Sequence, residues 1–279
     1  MLSFLLILFC QDGSYEPVDP ASFNEPAPIY ETLRDLRRVN TKETDPVFKL
    51  KRLENIHVLV NSMKAMLIER VGNGEMEASK AAVMLENSYY LLTRALSAAG
   101  ELQAAERCYD FAEALYRGTS VEVNRTQSKA SLIARRDPER AMDFIQQYFD
   151  AHPPYAGSIV RGEDEHSLQY SLSLLQDKAG RGKPCLETIE SYLDFTRKNP
   201  VFISQRDELT LKRYDRLRSS YRGAMPEARL KEVRGLVKEH ARKRGQPAHW
   251  QIALHDSLKE ESAANKETMG QNFRDEFIH

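Results

Sequence analysis

Apolar positions recur along this chain at helical spacing, in successive pairs of segments. Leu85, Tyr89, Leu92, Leu96 and Ala99 step by four, three, four and three, which puts them on one helical face. Gly100 supplies a tight turn, and Leu102, Ala105, Tyr109 and Ala112 give the stripe of a returning helix. A second pair follows Val123. Ala130 and Ile133 mark a weaker helix, Asp137-Pro138 gives a cap and a first helical residue, and Ala141, Ile145 and Tyr148 carry a stripe to Pro153. Ala105 and Ala141 hold equivalent places, small where two helices of a hairpin cross closely.

Stripes of the same kind extend in both directions. Pro28 predicts a helix through Arg38, and Asp45-Pro46 predicts one to Arg70. Its Leu53, Ile56, Val60, Met63 and Leu67 form a seam under three heptads long, read as packing on the first hairpin rather than as a strip for another subunit. Gly72 and Gly74 end it. Residues 152–165, with Pro153, Pro154, Gly157 and Gly162, are expected to be a long loop ending in Glu163-Asp164-Glu165. Leu168, Leu172, Leu175 and Ala179 predict a helix ending at Gly180, and Pro184 opens one through Cys185, Ile189, Tyr192 and Phe195. Leu211, Tyr214, Leu217 and Tyr221 predict a helix from Gln205 to Gly223, and Leu230, Val233 and Val237 another from Pro226 to Gly245. Pro247 opens a last helix with Trp250, Leu254 and Leu258, after which a frayed polar tail is expected.

This pattern resembles the tetratricopeptide and pentatricopeptide families, stacked antiparallel helix pairs of about 34 residues per unit. Gly100, Ala105, Tyr109 and Ala112 fall where the tetratricopeptide family prefers glycine, alanine, an aromatic and alanine. Ala141 and Pro153 fill the alanine and closing-proline places of the second unit, with Tyr148 where a small residue is expected. Tyr89, Leu92, Gly100, Leu102 and Ala105 also fit the pentatricopeptide pattern, and Gly118 lies near its closing glycine; Leu91 stands where that family places a polar, base-reading residue.

The resemblance implies an all-α fold, a right-handed α-solenoid of stacked antiparallel helix hairpins over residues 28–259. Its clearest units are 85–118 and 121–153, followed by a degenerate unit at 166–200 and basic helices at 205–245. A disordered leader over residues 1–27 and a polar tail over 260–279 are expected to flank it. If the chain follows the family, the first helix of each hairpin lines a groove. Asn87, Tyr90, Arg94 and Ser97, which lie off the packed stripe, are then the candidate partner contacts.

Composition adds little to this picture: 41% hydrophobic, 29% charged and a mean hydropathy of −0.56 suit a surface-rich chain. The net charge of −1 offers no global field to steer nucleic acid or a membrane. Locally, thirteen Lys or Arg between Arg206 and Arg244 face six acids, a balance of +7. Arg213, Arg216, Arg218, Arg222, Arg234 and Lys238 are the candidate anion- or RNA-binding residues there, with Tyr214 and Tyr221 placed to stack on bases. The interleaved acids favour solvated faces, and helical spacing favours core tyrosines.

Residues 1–10 (MLSFLLILFC) are apolar and too short to span a bilayer, which needs about 20 residues. A poor signal sequence, a buried leading segment and a misplaced start are the three readings of this run. Residues 11–28 hold four prolines and no basic residue, an extended acidic leader. Cys10, Cys108 and Cys185 form no Cys-x-x-Cys pair, so a reducing compartment, cytoplasmic or mitochondrial, is expected ahead of a secretory route.

No catalytic constellation and no cofactor motif stands out. His240, His249 and His255 match no metal-ligand spacing, and Gly180-Arg181-Gly182-Lys183 lacks the strand and the spacing of a phosphate loop. The expectation is a non-enzymatic scaffold or adaptor that binds a peptide or helix of a partner protein. The alternative is a pentatricopeptide-like RNA-binding protein acting in an organelle.

Overall fold

The computed structural model describes residues 16–152, 159–242 and 250–279. The apolar run 1–10 and the Pro153, Pro154, Gly157, Gly245 and Pro247 signals lie outside them. Eleven α-helices occupy the described chain, and they are numbered here in chain order. They are α1 (Pro26–Lys42), α2 (Pro46–Gly72), α3 (Ala78–Ala99), α4 (Leu102–Tyr116), α5 (Ser120–Ile133), α6 (Pro138–Ala151), α7 (Ile159–Lys178), α8 (Gly182–Lys198), α9 (Gln205–Arg218), α10 (Glu227–Arg242) and α11 (Trp250–Phe277). No strand occurs among the described residues.

The expected caps are in place. The Asp45 carboxylate accepts from the N–H groups of Val47 and Phe48 at 2.8 and 3.3 Å, and that of Asp137 accepts from Arg140 at 3.0 Å. Gly100 closes α3 with φ of 87°, a left-handed residue that lets α4 return at once. Ala105 and Ala141 are fully buried, as the crossing of close helices requires.

The single helical domain expected over residues 28–259 is instead two compact units, residues 1–122 with 264–279, and 123–263. In the first, α1 to α4 pack as successive antiparallel helices. The α2 seam (Leu53, Ile56, Val60, Met63, Leu67) is buried against Ala81, Ala82, Leu85 and Leu92 of α3 and Ile29, Leu33 and Leu36 of α1. In the second, Val123 and Ala130 of α5, Ile145 and Phe149 of α6, and Leu168 and Leu172 of α7 share one cluster. A further cluster joins Cys185, Ile189 and Leu193 of α8 to Leu211 and Tyr214 of α9 and Leu230 and Val233 of α10.

Within the expected leader, the described residues 16–27 are tied to α2: the buried Asn55 amide of α2 accepts from the Val18 N–H at 3.0 Å and donates to the Val18 carbonyl at 2.9 Å. Arg70 further holds the Asn24 carbonyl at 2.7 Å and the Glu25 carboxylate at 2.8 Å. Prolines removed donors from this stretch, but the backbone groups of Val18 and the Asn24 carbonyl find side-chain partners on one helix.

The expected loop 152–165 is helical from Ile159 onward. Arg161 and Glu165, one turn apart, are ion-paired at 3.0 Å, and Glu165 is fully buried. The expected tail 260–279 continues α11 to Phe277, and its residues 264–279 belong to the first unit. Met269 and Phe273 are buried in its core, with Phe277 packed beside them. Asn272 donates to the carbonyls of Leu115 and Arg117 at 3.3 and 3.0 Å, and Asn265 accepts from the Ser120 N–H at 3.2 Å. Apolar residues four apart in a polar segment make too thin a stripe to read from sequence, yet suffice where a neighbour supplies the rest of the core.

Gly270 marks the closest approach of α11, since a Cβ there would stand 2.8 Å from the Ser79 backbone nitrogen. Phe273→Ala is accordingly expected to cost about 3–5 kcal/mol in urea unfolding. Hydrogen exchange should also accelerate at the start of α3 and the end of α4. Unchanged exchange there would contradict the docked position of α11.

Candidate functional site

The first unit carries an apolar groove between α2, α3 and α4. Leu50, Leu53, Glu54 and His57 come from α2, Leu92 and Leu96 from α3, and Ala104, Arg107, Cys108 and Phe111 from α4, around a cavity of about 270 Å³. Leu53, Leu92 and Cys108 are buried at its base. Its walls are not: Leu50 is 53% exposed and Phe111 63%. Val47 at 58% and Val58 at 49% continue the apolar stripe along the outward side of α2, because positions 47, 50, 54 and 58 share one face. Large apolar side chains clustered beside a cavity mark an interaction surface, whereas scattered ones do not.

The chemistry of the lining is passive. Burial pushes the Cys108 thiol up to about 11, against the opposing pull of the Thr93 contact and of Arg107, so it is not a thiolate nucleophile near neutral pH. Burial also raises the Tyr89 phenol above its ordinary value, and the Cys108 sulfur adds to this. The volume suits a few aliphatic or aromatic side chains rather than a cofactor.

The same three helices hold α11 a little further along. Lys64, two turns beyond His57 on the same side of α2, sits over the Phe277 ring at 4.5 Å from its centroid. Leu115, one turn beyond Phe111 on α4, supplies the carbonyl that Asn272 contacts. A helix is therefore already seated on one end of this surface, and the apolar groove is its continuation.

Asn87, Tyr90, Arg94 and Ser97 form a stripe on α3, as their spacing predicts, but on the other side of the helix from Leu92 and Leu96. Leu92 is two residues from both Tyr90 and Arg94, about 200° around the axis. Arg94 lies over the Tyr90 ring at 5.7 Å, and the Asn87 amide donates to the Val83 carbonyl at 2.8 Å. The apolar groove thus lies on a face those four residues do not touch. Sequence reasoning missed Leu50 and Phe111; the available signal was a large apolar residue standing off its helix's packed stripe.

The six basic candidates lie in the second unit, where the structure gives four of them carboxylate partners. Arg216 contacts both Asp177 oxygens at 2.6 Å, and Arg213 reaches the same carboxylate at 3.3 Å. Arg218 pairs with Glu227 at 2.9 Å, and Arg234 pairs with Asp215. Arg222 and Lys238 are exposed. Tyr214 is core, its hydroxyl donating to Glu190 at 3.0 Å, and burial raises its phenol to about 12. Tyr221 packs over Gly182, where a Cβ would fall 2.2 Å from its ring, so that glycine serves packing rather than a phosphate loop. Arg218 lies over the Tyr214 ring at 5.8 Å, and Tyr170 is flanked by two cations, Arg213 at 5.5 Å and Arg206 at 5.7 Å.

Beneath these charges lies a buried polar cluster. Asp207 and Thr196 are inaccessible, and Thr196 donates to Asp207 at 2.8 Å. Asp207 also accepts from the Ser204 N–H at 2.8 Å. His166, stacked on Tyr192 at 3.6 Å, places Nε2 3.4 Å from the Thr196 hydroxyl, while its Nδ1 is buried without a hydrogen-bond partner. Burial lowers the His166 pKa below 6.5 and outweighs the nearby Asp207 carboxylate, which pulls the other way. Burial would raise the Asp207 carboxyl, but its contact with His166 and the bonds from Ser204 and Thr196 hold it below 3.8.

Both shifts make this unit acid-sensitive. Below about 6.5 the unfolded chain takes up a proton at His166 that the folded chain resists, so stability falls as pH drops from there toward the folded value. The Asp207 contribution is lost in turn as pH falls below its unfolded value. His166→Gln is expected to flatten the decline in urea midpoint between pH 7 and 5. An unaltered slope would assign the acid sensitivity elsewhere.

Among the described residues, no three His, Cys, Asp or Glu side chains are placed to hold a metal ion, and no helix is long and apolar enough to cross a membrane. His240 is half-buried on α10; His249 and the His255 side chain lie outside the described residues. No family model and no curated protein matches the chain. Among solved structures, the chain is similar to a putative kinesin light chain from Podosopora anserina with nearly identical TPR-like repeats. The identity is 15% and the TM-score 0.46, over 80% of this chain and all of that one. It is also similar to a filament designated DHF58, with 14% identity and a TM-score of 0.28, over 85% of this chain and 96% of that one.

Proposed function

We propose that this chain is a non-enzymatic interaction module whose first unit receives an amphipathic helix of a partner protein in the groove between α2, α3 and α4. The observation that carries this reading is the juxtaposition of the apolar cavity with exposed Leu50 and Phe111, directly beyond a site where α11 already docks. A helix satisfies its own backbone, so it asks of the groove only apolar contact, which is what Leu50, Leu92, Leu96 and Phe111 offer. Glu54 and Arg107 at the edge would set register rather than affinity. Engagement of four of the six basic candidates by neighbouring carboxylates gives the RNA reading no support.

Selection of a displayed helical-peptide library against the full chain tests this. Enriched sequences are expected to carry apolar residues at i, i+3 or i+4, and i+7. Phe111→Glu or Leu50→Glu should weaken their binding at least about tenfold, about 1.4 kcal/mol. Arg94→Ala, on the far side of α3, should leave it unchanged. Selection of nothing above the Phe111→Glu background, or dependence on Arg94 instead, would refute the assignment.

A further inference from the structure

Taking the groove to be the docking surface proposed above, we infer that it selects a partner helix of opposite charge on its two flanks, basic where it faces α2 and acidic where it faces α4. Among the residues lining the cavity stand one carboxylate, Glu54 of α2, and one guanidinium, Arg107 of α4. α3 packs against both of these helices and forms the floor between them, so the two charges belong to opposite walls. Both residues are exposed, and neither is ion-paired, with the other or with any further described residue.

Each charge interrupts an apolar run. Glu54 shares its face of α2 with the exposed Val47, Leu50 and Val58, and Arg107 stands one turn from the exposed Phe111 on α4. A helix that covers these apolar neighbours also takes water from the two charges. Full burial of an unpaired ion costs several kcal/mol, so even partial cover disfavours a flank that offers no counter-ion. The two side chains therefore act mainly by rejecting helices that are apolar, or of the wrong sign, on the flank concerned. A helix with its apolar row against Leu92 and Leu96 turns the positions on either side of that row toward the walls, as the e and g positions of a paired helix face their neighbour. Lys or Arg beside α2 meets Glu54, and Asp or Glu beside α4 meets Arg107. Pairs at such a rim decide the choice of partner more than the strength of binding.

The displayed helical-peptide library, with both flanks randomised, tests this against the full chain in three forms: wild type, Arg107→Glu and Glu54→Arg. Wild type is expected to enrich helices that are basic on one flank and acidic on the other. Arg107→Glu should enrich helices basic on both flanks, and Glu54→Arg helices acidic on both. That readout holds whichever way the helix runs along the groove. A helix selected on wild type should bind each variant about tenfold more weakly. Circular dichroism checks that each variant keeps its helices. Where a charge reversal disturbs the fold, Arg107→Gln or Glu54→Gln takes its place and should leave the corresponding flank without a charge preference. Apolar enrichment with the same flank composition on all three forms would overturn the inference and leave the groove reading intact. Failure to select any helix would remove both.

Discussion

Burial of α3 around most of its circumference organises the first unit. Its buried residues, among them Ala81, Ala82, Leu85, Ser88, Leu91, Leu92 and Ala95, spread around the helix and leave only the stripe through Arg94 outside. A helix of that kind requires neighbours on several flanks. Here α1, α2, α4 and the end of α11 supply them. Small residues let those neighbours approach, and Ser88 turns its hydroxyl back onto the Met84 carbonyl at 2.8 Å rather than leaving it unpaired. Cover thins at the half-buried Leu96, on the side that α11 stops short of. The candidate site is the place where the packing requirement of one helix is not fully met by the rest of the unit.

The second unit solves a similar problem with polar groups. Glu165, Asp207 and Glu190 each collect several donors, and each ties together residues far apart in sequence. Glu190 accepts from Tyr214 and from the N–H groups of Ala224 and Met225, fastening the link between α9 and α10. Such contacts add little net stability after desolvation, but leaving any one unmade is costly, so they select one arrangement of helices over near alternatives. The unpartnered His166 Nδ1 is the exception within this scheme.

The basic run between Arg206 and Arg244 belongs to the same scheme. Asp177 on α7 holds Arg213 and Arg216 of α9, while Asp215 and Glu227 hold Arg234 and Arg218. The exposed pairs among these, Arg218–Glu227 and Arg234–Asp215, contribute about 0–1 kcal/mol each. Their larger effect is on the surface: guanidinium groups already facing carboxylates are less available to an external phosphate. A local excess of charge read from sequence thus overstates the field presented outward.

Most helices were legible in the sequence, because their apolar stripes repeat three or four residues apart. The Asp45 and Asp137 caps and the Gly100 reversal are satisfied by near neighbours, and the α2 seam and the small side chains of Ala105 and Ala141 show as spacing alone. What the sequence could not convey depends on partners far along the chain. Val18 is fixed by the Asn55 side chain 37 residues away, and Asn265 by the N–H and hydroxyl of Ser120, 145 residues away. The start of α7 was masked by its glycine and acids, whose helical state is favoured by the Arg161–Glu165 pair and by Tyr148, which donates to Glu165 at 3.2 Å. The groove is of this second kind. Leu50 and Phe111 look like ordinary helix residues until tertiary packing decides which apolar side chains are covered and which remain facing out.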